Sequence, residues 1–154
     1  MSEVHVHSVE TPFGPFSLRE AGGAITGAGW RQMTGAAPTP LLEEAGRQVA
    51  AYFDGRLEVF DLPVHIEASA LVQAVCACLM AIPFGETRTY GDLAKELGQP
   101  AQAVGQACGG NPIPVIVPCH RVLSATGLGG FSAPGGVETK VALLRLEKAA
   151  GLLI

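Results

Sequence analysis

The spacing of apolar residues changes once along the chain, and this change limits the folds that it can adopt. Residues 4–30 hold short runs in which apolar and polar side chains alternate between Gly and Pro turns. Such alternation is typical of half-buried antiparallel strands. Apolar residues then return at helical spacing, at Leu71, Val75, Cys78, Leu79 and Ile82. The sequence therefore predicts a small antiparallel sheet followed by a mostly helical part.

The first part, residues 1–67, is predicted to be an α/β domain. Strands are expected at Phe16–Arg19 and Gly23–Trp30, and a helix at Leu41–Phe53 that ends before Gly55. The run Val59–Val64 contains a proline, which favours an edge strand. With 154 residues, the chain is long enough for this domain and a second one at 68–154.

Two short helices are predicted in the second part. Thr89 and Asp92 have capping-box spacing ahead of a helix at Tyr90–Leu97. Pro100 is expected as the first residue of a helix that continues over Ala101–Cys108. Two such helices joined by a tight turn indicate a helix-turn-helix. The second helix is rich in Ala and Gly, which suits either close approach to a DNA minor groove or tight helix packing.

Cys119 is the candidate nucleophile. It follows two β-branched residues and Pro118, and His120 and Arg121 stand next to it. The thiolate is the reactive form of cysteine, and a neighbouring base or positive charge increases its population at neutral pH. We expect His120 to lower the pKa of the thiol in this way. Simple packing of a buried cysteine is the alternative for this pair taken alone.

Charge and cysteine usage restrict the partners and the compartment. The net charge is −4, with −5 on residues 1–67 and +1 on residues 68–154, so any DNA affinity is expected in the second part. The four cysteines do not suggest a disulfide framework. No apolar run is long enough to span a bilayer, and the N-terminus lacks the features of a signal peptide. We therefore expect a protein that stays inside the cell.

Several motifs resemble those of a known family. Asn111-Pro112, followed by Val117-Pro118-Cys119-His120-Arg121-Val122, resembles the active-site signature of the 6-O-alkylguanine-DNA alkyltransferases, also called methylated-DNA-protein-cysteine methyltransferases. The resemblance extends over nearly the whole chain, through Thr11-Pro12-Phe13-Gly14-Pro15, Ile82-Pro83-Phe84-Gly85-Glu86 and Leu143-Leu144-Arg145-Leu146-Glu147.

The resemblance implies a ribonuclease-H-like N-terminal domain with a supporting role and a C-terminal domain that binds double-stranded DNA through the minor groove. A damaged guanine would be flipped out of the duplex, and its 6-O-alkyl group would pass irreversibly to the cysteine. Each molecule would act once, without metal or cofactor. We expect a monomer in the cytoplasm, associated with the nucleoid when it is bound to DNA.

The resemblance also implies roles for individual residues. Cys119 matches the alkyl acceptor, His120 the base that reaches it through a water, and Glu147 the carboxylate that orients the histidine. Asn111 matches the residue that braces the approach loop. The residues expected to bind the substrate are Tyr90, Phe131, Ser132 and Val122, and those expected to contact DNA are Ala101, Gln102, Ala103, Gly105 and Arg121.

One departure from the family pattern concerns DNA. Gln102 stands where the family usually has an arginine that fills the space of the flipped base, and glutamine is shorter and uncharged. We expect the chemistry to be retained and extrusion from duplex DNA to be less efficient. The sequence is also compatible with two other functions. One is a lesion sensor that binds damaged DNA without efficient transfer, and the other is a Cys-His-Glu hydrolase that acts on small molecules.

Overall fold

A computed structural model describes residues 3–125, 127–131 and 135–149. The chain divides into two compact units, Met1–Ile66 and Glu67–Ile154. No helix in the described part of the chain is both long and apolar enough to cross a membrane.

The first unit is a three-stranded antiparallel sheet with one helix. Strands β1 (His5–Thr11), β2 (Gly14–Ala21) and β3 (Ala24–Gly29) pair in the order β1-β2-β3. Helix α1 (Pro40–Phe53) packs on β1 and β2. Its N-cap Thr39 accepts a hydrogen bond from the backbone of Leu42, which satisfies one of the free amides of the first turn. The small sheet and its helix confirm the predicted α/β class of this part.

The core of the first unit lies between the sheet and α1. Phe16 and Leu18 from β2 and Val49 and Tyr52 from α1 are all buried. Trp30 packs edge-on against Phe16, at 4.8 Å between ring centroids, and extends the core beyond the end of β3. Burial of such large side chains supplies most of the driving force for folding of this unit.

The predicted edge strand at Val59–Val64 is wrong. These residues form no strand, and Val64 makes only an isolated bridge to Ile25. Ile25 donates a hydrogen bond to the carbonyl of Pro63 and accepts one from the amide of His65. Because Pro63 has no amide hydrogen, the ladder cannot extend beyond this bridge on the Pro63 side.

The second unit is mostly helical. It contains α2 (Ala70–Met80), α3 (Tyr90–Leu97), α4 (Ala101–Gly109) and α5 (Val137–Leu146), with a parallel pair of two-residue strands, β4 (Arg88–Thr89) and β5 (Val122–Leu123). Helix α4 packs against both α2 and α3. A 3-10 turn at Cys119–Arg121 precedes β5 and packs against α5.

The start of α3 agrees with the prediction in detail. Thr89 accepts a hydrogen bond from the amide of Asp92, and the Asp92 carboxylate accepts one from the amide of Thr89. Gly98 ends the helix at φ 63°, a left-handed conformation that costs glycine little. Pro100 differs from the prediction, because it is the N-cap of α4 and has extended backbone, outside the first helical turn.

Two helix glycines give a test of packing in the two units. A Cβ at Gly46 of α1 would lie 2.9 Å from Val9 Cγ1, whereas a Cβ at Gly105 of α4 would meet nothing within 4 Å. Gly46→Ala should lower the free energy of unfolding by about 1 kcal/mol or more, because overpacking outweighs the gain in helix propensity. Gly105→Ala should raise it by about 0.5–1 kcal/mol, because only the propensity changes. Urea unfolding measures both, and equal stabilisation by the two variants would contradict the packing at Gly46.

Candidate active site

The backbone before Cys119 follows a tight course. The amide of Val117 donates to the carbonyl of Ile113, and the amide of Cys119 donates to the carbonyl of Val117, both at 2.8 Å. Val115, within this stretch, is buried and has φ 74°. A β-branched residue in this conformation costs about 1–3 kcal/mol, and such strain persists only where the surrounding structure enforces it.

The side chain of Asn111 holds this conformation through hydrogen bonds to the backbone of the same stretch. Its side-chain amide donates to the carbonyl of Val117 at 2.9 Å, and its Oδ1 accepts the amide of Ile113 at 3.0 Å. Asn111 also lines the same cavity as Cys119, and its side chain lowers the pKa of that thiol. The residue therefore spans the approach loop and reaches the candidate nucleophile.

His120 is completely buried and faces Glu147. Its Nε2 lies 2.6 Å from Glu147 Oε2. An ionised carboxylate only accepts hydrogen bonds, so Nε2 carries the proton and Nδ1 is left as the nitrogen that can accept one. Burial lowers the pKa of His120, and the hydrogen bond to Glu147 only partly opposes this effect. A neutral histidine in this state is suited to act as a base.

Arg121 completes the buried cluster. Its Nε lies 2.8 Å from Glu147 Oε1, its Nη2 lies 3.0 Å from Glu147 Oε2, and its Nη1 donates to the carbonyl of Ile82 at 2.7 Å. The side chain is only 8% exposed. The expectation that Arg121 contacts DNA is therefore corrected, because Glu147 and the backbone of Ile82 hold its guanidinium inside the protein.

Lys140 is a second buried cation, and the sequence reasoning missed it. Its Nζ donates to the carbonyls of Val122, at 2.6 Å, and Gly130, at 3.2 Å, and lies 5.9 Å from the centre of the Tyr90 ring. Burial lowers the pKa of Lys140, and the nearby Cys119 and Cys108 thiols raise it. Lys140 gave no sequence signal, because a lysine that follows Glu138 and Thr139 resembles any surface residue of an amphipathic helix.

Opposing effects set the pKa of the Cys119 thiol. Burial raises it, while the Asn111 side chain and the Lys140 charge lower it. Burial has the largest effect, so the pKa of this thiol lies above the ordinary value for cysteine. His120 was expected to lower this pKa, but a buried neutral ring supplies no positive charge. The thiol form of Cys119 is therefore favoured at neutral pH, and the positive charge of Lys140 acts in the direction of the thiolate.

A cavity of about 360 Å³ adjoins the thiol of Cys119. Predicted substrate residues Tyr90 and Phe131 line it, as do Asn111 and the side chain of Cys108. Val122 is fully buried and does not line the cavity, and its carbonyl accepts a hydrogen bond from Lys140. Ser132 lies outside the described residues.

Helix α4 forms one wall of this cavity. Gly105, Cys108 and Gly109 line it, which leaves room beside the thiol because their side chains are small or absent. Among the other residues predicted to contact DNA, Ala101 and Gln102 are exposed and Ala103 is half-buried. No cluster of three or more His, Cys, Asp or Glu that could hold a metal ion occurs within the described segments.

Fold and site together define a protein whose partly exposed cysteine adjoins a cavity and is followed in the chain by a buried histidine-carboxylate pair. Residues 70–149 match the family model described as the DNA binding domain of 6-O-methylguanine DNA methyltransferase. The chain belongs to this family, and its activity is DNA repair by transfer of an alkyl group to a cysteine of the protein.

Individual relatives agree with this assignment. The methylated-DNA--protein-cysteine methyltransferase of Mycobacterium bovis is 40% identical over 95% of this chain and 93% of its own length. The crystal structure of the Mycobacterium tuberculosis O6-methylguanine methyltransferase matches with a TM-score of 0.85 at 38% identity, over 98% of this chain and 96% of that one. The Mycobacterium tuberculosis OGT in complex with DNA gives a TM-score of 0.84 at 40% identity, over 94% and 92% of the two chains.

The burial of Glu147 with His120 and Arg121 predicts that substitution of Glu147 has a large effect on stability. Glu147→Gln leaves the Arg121 guanidinium without a buried counter-charge, so the free energy of unfolding should fall by about 3–5 kcal/mol. Glu138→Gln, at an exposed position, should change it by less than about 0.5 kcal/mol. The double variant Arg121→Met/Glu147→Gln should recover part of the loss. Urea unfolding of the three variants tests this, and no recovery in the double variant would contradict the assigned charge pairing.

The effect of Lys140 on the Cys119 thiol predicts that its substitution changes the pH dependence of alkyl transfer. Lys140→Met removes a positive charge that favours the Cys119 thiolate, so the thiol pKa should rise further. Transfer from free 6-O-benzylguanine should slow at pH 7, by up to about the tenfold that one pKa unit gives, and the deficit should shrink as pH rises. Lys95→Met, on an exposed position of α3, is the matched control. A deficit that stays constant with pH would indicate loss of loop structure without an electrostatic effect.

Proposed function

We propose that this chain repairs DNA by transferring the alkyl group of 6-O-alkylguanine irreversibly to Cys119. The observation that carries the proposal is the placement of Cys119 at a cavity that Asn111 also lines, followed in the chain by the His120–Glu147 pair. In the reaction, the sulfur forms a bond to the alkyl carbon, and the bond from that carbon to guanine O6 breaks. The thioether is stable, so each molecule acts once.

Each site residue has a proposed role. His120 accepts the thiol proton through a bridging water, and Glu147 holds the ring in the required tautomer and stabilises the imidazolium that forms. Lys140 stabilises the thiolate. Tyr90 and Phe131 hold the base in the cavity. Ser132 supplies a backbone donor for the guanine oxygen, where negative charge develops as the alkyl group leaves.

The DNA-binding element is proposed to be α3, the turn at residues 98–100 and α4, acting as a helix-turn-helix. Ala101, Gln102, Ala103 and Gly105 would lie against the minor groove, where small side chains allow close approach. The damaged guanine would be flipped out to reach the cavity, because its alkyl carbon is inaccessible within a stacked duplex. The wall that Gly105 of α4 contributes to the cavity supports this arrangement.

The two units have different proposed roles. Residues 1–67 form a supporting domain with a ribonuclease-H-like fold, which the antiparallel sheet followed by α1 supports. Residues 68–154 bind DNA and carry out the transfer.

We also propose a cytoplasmic monomer. The four cysteines are free, as expected in a reducing compartment, and each unit exposes only two large apolar side chains among the described residues.

Measurement of the mass of the intact protein tests the proposed function. Incubation with methylated DNA or with free 6-O-benzylguanine should add one alkyl group permanently, and Cys119→Ser should abolish this uptake while leaving the fold intact. Burial raises the pKa of Cys76 to about 11 and that of Cys108 to about 12, so both remain thiols at neutral pH. Cys78→Ser, at a residue that does not line the cavity, is a control that should retain uptake. An unchanged mass with a shifted DNA band would indicate a lesion sensor, and multiple turnover would indicate a hydrolase.

A further inference from the structure

Two cysteines line the same cavity. Cys119, the proposed alkyl acceptor, lines it from the 3-10 turn, and Cys108 lines it from α4. The other α4 residues in the lining, Gly105 and Gly109, have no side chain beyond the Cα atom. The Cys108 thiol is therefore the reactive group that α4 presents to the cavity, and alkyl transfer to Cys119 makes no use of it.

The other nucleophilic side chains near this cavity are less suited to react with a bound group. Cys76 does not line the cavity, and its Sγ lies 3.8 Å from Asn111 Oδ1, to which it donates a weak hydrogen bond. The amino group of Lys140 donates to two backbone carbonyls. Tyr90 lines the cavity, but burial raises the pKa of its hydroxyl, which stays neutral at neutral pH. Cys108 is thus the candidate for a second nucleophile.

We propose that Cys108 is a second acceptor, which captures alkyl groups that carry a further leaving group after their transfer to Cys119. The inference rests on the proposed transfer and adds a substrate class, namely 6-O-alkylguanines whose alkyl group bears a halide or a similar leaving group on another carbon.

The reaction has two displacement steps. In the first, the sulfur of Cys119 bonds to the alkyl carbon, and the bond from that carbon to guanine O6 breaks. In the second, the sulfur of Cys108 bonds to the carbon that bears the halide, and the bond from that carbon to the halide breaks. The halide leaves with the electron pair, and the thiol proton passes to water. The product holds the alkyl group as a bridge between two thioethers.

The first step favours the second. Burial raises the pKa of Cys108 to about 12, the negative charge of a Cys119 thiolate is the next largest cause of this rise, and the charge of Lys140 lowers the pKa. A thioether carries no charge, so alkylation of Cys119 removes its effect and leaves that of Lys140. The Cys108 thiol therefore ionises more easily once the first step is complete.

The shared cavity makes the second step intramolecular. Oriented groups held together in this way react with effective concentrations of about 10⁵–10⁸ M, far above that of any competing nucleophile in solution. Without capture, a transferred group that keeps its leaving group remains reactive towards water and towards DNA. Capture by Cys108 ends this reactivity within the protein.

The test uses the full chain and two matched free bases, the ortho-chloromethyl and the ortho-methyl derivatives of 6-O-benzylguanine. Both should release guanine. The methyl probe should leave a simple adduct on Cys119. The chloromethyl probe should leave a chlorine-free adduct, whose mass corresponds to one xylylene bridge in place of two thiol hydrogens. Peptide mapping should find Cys119 joined to Cys108, and the bridged form should exceed the hydrolysed adduct by about tenfold or more.

Three serine variants assign the two steps. Cys108→Ser should still release guanine and carry the group on Cys119, but the adduct should keep its chloride or exchange it for hydroxyl. Cys78→Ser, at a residue that does not line the cavity, should form the bridge as the parent chain does. Cys119→Ser should release no guanine and gain no group on Cys108, because the second step depends on the first.

The outcomes separate capture by Cys108 from the transfer on which it rests. Uptake on Cys119 with an unreacted Cys108, or with a bridge to any other residue, would overturn capture and leave transfer established. Guanine release from 6-O-benzylguanine but from neither derivative would overturn the substrate class. No release from any of the three bases would overturn the transfer itself, and capture with it. A group on Cys108 in Cys119→Ser would contradict the order of the steps.

Discussion

The buried carboxylate of Glu147 is the interaction on which the rest of the site depends. An isolated carboxylate is strongly disfavoured away from water, so it must be compensated by charge and hydrogen bonds. His120 and Arg121 supply both, and Arg121 extends the network to the carbonyl of Ile82 beyond the end of α2. The end of α5, the turn that carries Cys119 and the end of α2 are thereby joined through one charged group.

This arrangement gives His120 and Arg121, the two residues that follow Cys119, different interactions with Glu147. His120 lies in the interior as a neutral ring, available as a base, while Arg121 balances the carboxylate that orients it. The positive charge that favours the thiolate comes from Lys140 on α5, which also holds the carbonyls of Val122 and Gly130. The proposed base and the positive charge that favours the thiolate are therefore different residues, and each can be tested by substitution without removing the other.

The sequence by itself determined the local elements and the family. The capping box of Thr89 and Asp92, the extent of α3 and the small antiparallel sheet followed from short-range patterns, and the motif around Cys119 indicated the chemistry. Those features depend on residues a few positions apart. The run at Val59–Val64 was misread because strand formation depends on a partner, and Ile25 offers it only one bridge.

Only the tertiary structure decided which charged side chains are inside. Glu147 meets His120 and Arg121 across 27 and 26 residues, and Arg121 meets Ile82 across 39. In the sequence, Arg121 resembles a DNA contact and Lys140 an ordinary helix residue, because burial of a charge depends on partners that are distant along the chain. Short-range patterns contain no information on such pairing, and for this reason the burial of these three charged side chains could be read only from the folded chain.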